Sequence, residues 1–140
     1  MKSLPKTGFA TAPTIQVSWG ELIDKITILE IKQRRLKSKA AAANVRRELA
    51  PLASIAEKML SQQPNVVSLK EQLKSVNEAL WDIEDKIRAK EAAKSFDQHF
   101  VDLARAVYLN NDKRGDLKRQ INALLDSELV EEKQYTGYSV

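Results

Sequence analysis

Val66, Leu69, Leu73, Val76, Leu80, Ile83 and Ile87 follow one another at intervals of three and four residues without a break. In a strand, a three-residue step would throw successive side chains onto opposite faces. In an α-helix the same spacing draws one continuous apolar stripe. The run therefore demands a long helix, and a stripe of that length demands a partner surface beside it.

A second run has the same rhythm: Phe100, Leu103, Val107, Asn110, Arg114, Leu117, Ile121 and Leu124. Asn110 and Arg114 stand where apolar residues belong, and "LNNDKRGD" holds several turn formers. Yet Val107 and Ile121 lie two heptads apart in unbroken phase, which a loop has no reason to preserve. The pattern predicts one continuous helix with polar groups on its inner face.

The opening of the chain beyond residue 14 is harder to read. "ELIDKITILEIK" is rich in β-branched residues, which favour strands, but Ser18-Trp19-Gly20-Glu21 matches the S-x-x-E capping box of a helix start. Leu22, Ile26, Leu29 and Leu36 share one seam, with Gln33 in the slot before the last. Ile28 and Ile31 lie off that seam, so this helix is apolar on more than one side and should be central. Two favourable i,i+4 pairs, Glu21 with Lys25 and Glu30 with Arg34, explain most of its charges locally. A further helix carries Val45, Leu49, Leu52, Ala56 and Met59; Pro51 inside it means that the helix either restarts there, with proline in a first turn, or kinks. Ser95-Phe96-Asp97-Gln98 is a second capping-box match.

These readings predict an all-α antiparallel bundle of about four helices with coiled-coil-like seams, over residues 18–38, 42–61, 65–92 and 96–126. Only 4 Gly and 4 Pro in 140 residues agree with few turns. Residues 1–14 are expected to be a flexible arm, 15–135 a single helical domain and 136–140 a frayed tail. "TIQVS", residues 14–18, could make a short strand, though nothing in the chain pairs with it.

Composition excludes several chemistries. Without cysteine there is no disulfide, thiolate zinc site or thiol catalysis. His99 is the single histidine, so no His-rich metal site is expected, and no cofactor motif is present. No apolar run approaches a membrane span, and the start lacks the apolar core of a secretory signal; a cytoplasmic protein is expected. The net charge of +4 is concentrated in Lys32, Arg34, Arg35, Lys37, Lys39, Arg46 and Arg47. No aromatic residues interleave with that run, so nucleic-acid binding is not expected.

Two constellations stand out as candidate ligand-binding residues. Asn77, Trp81, Glu84 and Arg88, spaced 4-3-4, border the apolar stripe of the third helix. An indole flanked by an amide, a carboxylate and a guanidinium could grip a polar ring-shaped ligand; an edge tryptophan with an ordinary Glu84 and Arg88 pair is the structural alternative. Asn110, Asn111 and Arg114, with Arg105 and Tyr108 beside them, aim polar groups at the bundle interior. A buried guanidinium needs a carboxylate, a ligand anion or water, with Asp24, Glu30 and Glu84 as candidate partners. Such groups form either a pocket or a polar layer that sets register.

Five runs in order, "SWGELIDKITILEIK", "NVRREL", "VNEALWDIEDKIR", "LARAVYLNNDKRGDLKRQIN" and "SELVEEKQY", resemble an uncharacterised family of small all-helical bacterial and phage proteins. The resemblance implies a helical domain and carries no activity with it. The chain departs from that pattern in its longer N-terminal arm, in "KAAAA" and at Pro51. "ELIDKITILEIKQRR" is also loosely similar to the first helix of helical chorismate mutases, but the upstream arginine is missing. The function expected is a non-enzymatic helical interaction or oligomerisation module, working as a homodimer and with a possible protein partner. The alternative is a small-molecule-binding protein or enzyme with a polar pocket for an anionic or sugar-type ligand inside the bundle.

Overall fold

A computed structural model describes residues 7–133. The first six residues of the expected arm, and the expected tail over 136–140, lie outside the described residues. Four helices account for most of the described chain: α1 (Trp19–Arg35), α2 (Lys39–Gln62), α3 (Pro64–Ala92) and α4 (Gln98–Leu124). No strand forms among the described residues, and 14–18 run without a ladder partner into the first helix. An alternating pattern without a second strand cannot satisfy its backbone as a sheet.

Ser18 caps α1, its Oγ accepting from the Glu21 amide at 3.1 Å. The capping box is only half made, because the Glu21 carboxylate reaches across to Lys118 of α4 instead of back to the cap. The second match is displaced. Asp97, not Ser95, caps α4 by accepting from the Phe100 amide at 3.0 Å, and Ser95 donates its hydroxyl to Asp97. A carboxylate is a stronger acceptor than a hydroxyl, and Lys90 Nζ at 2.9 Å holds it in place. Between the two helices Lys94 takes φ 53°, and the Ser95 amide closes on the Lys90 carbonyl at 2.9 Å. That is a Schellman ending with a lysine where glycine is usual.

α1 is the centre of the bundle. Leu22, Ile23, Ile26, Leu29 and Ile31 are all buried, as are Asp24 and Thr27, and α1 packs on each of the other three helices while α2 and α4 do not meet. This is why its apolar residues exceed one face. Burying a side chain such as Ile23 or Leu73 completely stabilises by roughly 1.5–3 kcal/mol. α2 is peripheral, with only Val45 and Ala56 buried. It passes through Pro51 as one helix, and Pro51 is exposed, so the carbonyl one turn back that lacks its amide lies on the solvent side.

α3 and α4 form a long antiparallel hairpin. α4 is continuous through Asn110, Arg114 and Gly115, as its heptad phase requires. α1 meets it closely at Gly20, whose amide donates to Asn122 Oδ1 at 2.7 Å. A β-carbon there would lie 2.5 Å from the Lys118 carbonyl oxygen, so only glycine lets the two backbones approach this far.

The α3 seam is not uniformly covered. Val66, Leu69 and Leu73 are buried, whereas Val76, Leu80, Ile83 and Ile87 are half-buried. The reason is length: α1 has 17 residues and α3 has 29, about 25 Å against about 43 Å.

Candidate functional site

The charges of α1 do not pair along their own helix. Glu21 binds Lys118, Lys25 binds Glu48, Glu30 faces Lys70 and Lys74, and Arg34 binds Glu78. The expected pairs of Glu21 with Lys25 and of Glu30 with Arg34 are absent. A central helix has a neighbour on every flank, so its long side chains reach another element before they reach the next turn. Arg35 likewise binds Asp82 at 2.7 Å and lies 5.6 Å over the Trp81 ring. Its pKa is held above the ordinary value, chiefly by the hydrogen bond to Asp82, and that of Asp82 is correspondingly lowered. Part of the basic run is therefore occupied with the acids of α3.

At the core, Asp24 is 1% exposed and both carboxylate oxygens are engaged. Oδ1 accepts from Arg114 Nε and from Asn77 Nδ2, each at 2.9 Å, and Oδ2 accepts from Arg114 Nη2. Thr27 donates its hydroxyl to the Asp24 carbonyl at 2.7 Å and accepts from Asn77 at 2.9 Å. Since both partners of the Asn77 amide are acceptors, the orientation of that amide follows from the network. The Asp24 hydrogen bond raises the pKa of Arg114 against the opposing effect of burial. Of the three carboxylates proposed as partners for Arg114, Asp24 is the one that turns inward.

One turn along, Lys118 is 4% exposed and bridges Glu21 at 2.6 Å and Glu131 at 2.7 Å, with Asp24 at 3.9 Å. Burial pulls its pKa down, but the hydrogen bonds to Glu131 and Glu21 outweigh this and leave it raised; Glu131 is lowered by the same contact. Glu131 belongs to the segment after α4. That segment is anchored by the Ser127 hydroxyl, which accepts from the Trp19 amide at 3.3 Å. The Asp24 carboxylate, held by three hydrogen bonds and closed to water, has no open face for a substrate. Asp24, Arg114, Asn77 and Thr27 thus form one hydrogen-bonded clamp that links α1, α3 and α4.

Beside this clamp lies a hollow of about 420 Å³ between α1 and α3. Ile28, Ile31 and Leu80 line it with Asn77, Trp81, Glu84, Asp85, Arg88 and Arg114. The stripe of the third helix and Arg114 of the fourth are thus brought to one place, which their spacing in sequence could not reveal. The rest of the second constellation is elsewhere. Asn110 donates to the Ala106 carbonyl of its own helix at 2.8 Å, and Arg105 donates to the Tyr108 hydroxyl at 3.4 Å. Asn111 does not line the hollow.

A larger hollow, about 810 Å³, went unread in the sequence. Pro13, Ile15 and Val17 form one side of it, and Trp19, Leu52 and Ile55 the other. Ile15 and Val17 are largely exposed on its rim. Among the described residues no group of histidine, cysteine or carboxylate side chains could hold a metal ion, and no helix is long and apolar enough to cross a membrane.

No curated protein and no solved structure matches the chain significantly. The model of the family of unknown function DUF6165 matches residues 14–139, nearly the whole chain, and the chain belongs to that family.

Proposed function

From membership of a family that carries no assigned activity, we propose that the protein is a non-enzymatic helical interaction module that pairs with a second copy of itself through the far end of the α3 and α4 hairpin. One observation supports this reading above the others: the hairpin outruns α1. The last ion pair from α1 to α3 is Arg35 with Asp82, and its ion pair to α4 nearest the turn is Asp24 with Arg114. Residues 83–92 of α3 and the first turns of α4 thus have no hydrogen bond or ion pair from α1 or α2 among the described residues.

Along that stretch Ile83, Ile87, Phe100 and Val107 are half-buried. Phe96, Val101 and Tyr108 are 56%, 44% and 43% exposed. Val101 and Ala104 lie exposed three residues apart on α4 beside Phe100. Two helices cannot enclose a seam, whereas two hairpins related by a two-fold axis make a four-helix bundle around it. A reversible equilibrium between monomer and dimer is expected.

Sedimentation equilibrium at tens of micromolar tests this. The wild type should approach twice the monomer mass, and Val101→Glu should stay monomeric and melt where the wild type melts when too dilute to pair, since Val101 is exposed in the monomer. A wild type that is strictly monomeric at that concentration refutes the proposal.

A further inference from the structure

The hollow beside Trp81 has an unusual charge arrangement. Glu84 and Arg88 stand four residues apart on α3 in the orientation that favours an ion pair, yet none joins them, and neither has another partner among the described residues. Arg114 commits Nε and Nη2 to Asp24, and its Nη1 has no protein partner among the described residues. The lining therefore offers two carboxylates, Glu84 and Asp85, and two cationic groups, Arg88 and Arg114, around an apolar wall of Ile28, Leu80 and Trp81. Arg35 over the indole helps hold that wall in position.

Each simple ligand class meets an obstacle here. A plain anion would face Glu84 and Asp85, and a plain cation would face Arg88 and Arg114. An uncharged hydrophobe would leave the charged rim unused. A molecule with one charge of each sign close together, attached to an apolar body, matches all three features.

We propose that this hollow binds a free hydrophobic amino acid. Its carboxylate meets Arg114 and Arg88, its ammonium group meets Glu84, and its side chain lies against Ile28, Leu80 and Trp81. The clamp at Asp24 then has a second role: it aims the guanidinium of Arg114 while leaving one edge for the ligand. This site does not depend on self-association, and Val101→Glu should bind as the wild type does.

The chain has two tryptophans, so Trp19→Phe leaves Trp81 as the sole indole reporter. Titration with L-leucine, which has no fluorescence of its own, should give a saturable change in Trp81 emission, and calorimetry on the wild type should give the same affinity. N-acetyl-L-leucine and L-leucinamide, each lacking one charge, should bind at least about tenfold more weakly, since each loses a charge-assisted contact. Glu84→Gln should reduce L-leucine to the level of its N-acetyl analogue. The absence of a saturable signal by both methods overturns the site. Equal binding of L-leucine and N-acetyl-L-leucine overturns the assignment of a zwitterion.

Discussion

Replacing Arg114 by leucine should be among the most damaging single changes in this protein, and the structure says why. Asp24 is 1% exposed and would lose two of its three hydrogen-bond donors, keeping Asn77 at 2.9 Å and the more distant Lys118 at 3.9 Å. Stripping one partner from a buried ion pair costs about 3–5 kcal/mol, because the remaining charge is left uncompensated. Lys118 still attracts the carboxylate, which places the expected loss near the lower end, about 3 kcal/mol. For a chain of this size that is a fall in melting temperature of about 6–12 °C. Urea unfolding is the assay, read as a shift in midpoint at constant slope. The decisive comparison is the double variant Asp24→Leu with Arg114→Leu. It removes both charges, so it should recover at least about 2 kcal/mol relative to the sum of the single losses. Additive losses, or an Arg114→Leu variant as stable as the wild type, would show that the clamp does not hold the three helices together.

Gly20→Ala should destabilise despite alanine's better helix propensity, worth about 1 kcal/mol. The added carbon would sit 2.5 Å from the Lys118 carbonyl oxygen, and forcing the backbones apart costs about 1–3 kcal/mol; equal or greater stability in urea would contradict the close approach. The cap at Asp97 predicts an acid transition. The hydrogen bond from Lys90, then that from the Phe100 amide, lowers its pKa from 3.8 to about 2. A lowered carboxylate contributes fully above its unfolded value and loses that contribution as pH falls through its folded one. Protection of the Phe100 amide against hydrogen exchange should therefore decline between about pH 4 and pH 2, and Asp97→Asn should remove that pH dependence.

Much of the architecture was legible before any coordinates. The unbroken stripe from Val66 to Ile87 and the preserved phase across Asn110 and Arg114 required two long helices, and both are present. The two apolar sides of the Ile-rich stretch required a central helix, which α1 is. Local chemistry was less dependable at the boundaries. Ser95 and Asp97 both suit a cap, and the position of Lys90 across the turn adds to the stronger acceptor at Asp97. The alternation in residues 14–18 suited a strand, but a strand is a property of a pair.

The candidate site divides along the same line. The stripe of Asn77, Trp81, Glu84 and Arg88 could be read from helical spacing because all four share one helix. That Arg114 would join them, while Asn110 turned back to Ala106 and Arg105 to Tyr108, could not. The sequence by itself determined where helices form and which faces they bury, because backbone periodicity and apolar spacing act over a few residues. Only the tertiary structure decided which charges meet. Glu21, Lys25, Glu30 and Arg34 each had a plausible neighbour one turn away, and each is drawn to another element, because a long side chain pairs with whatever opposite charge the packing brings within reach. Asp24 found Arg114 for the same reason, 90 residues along the chain.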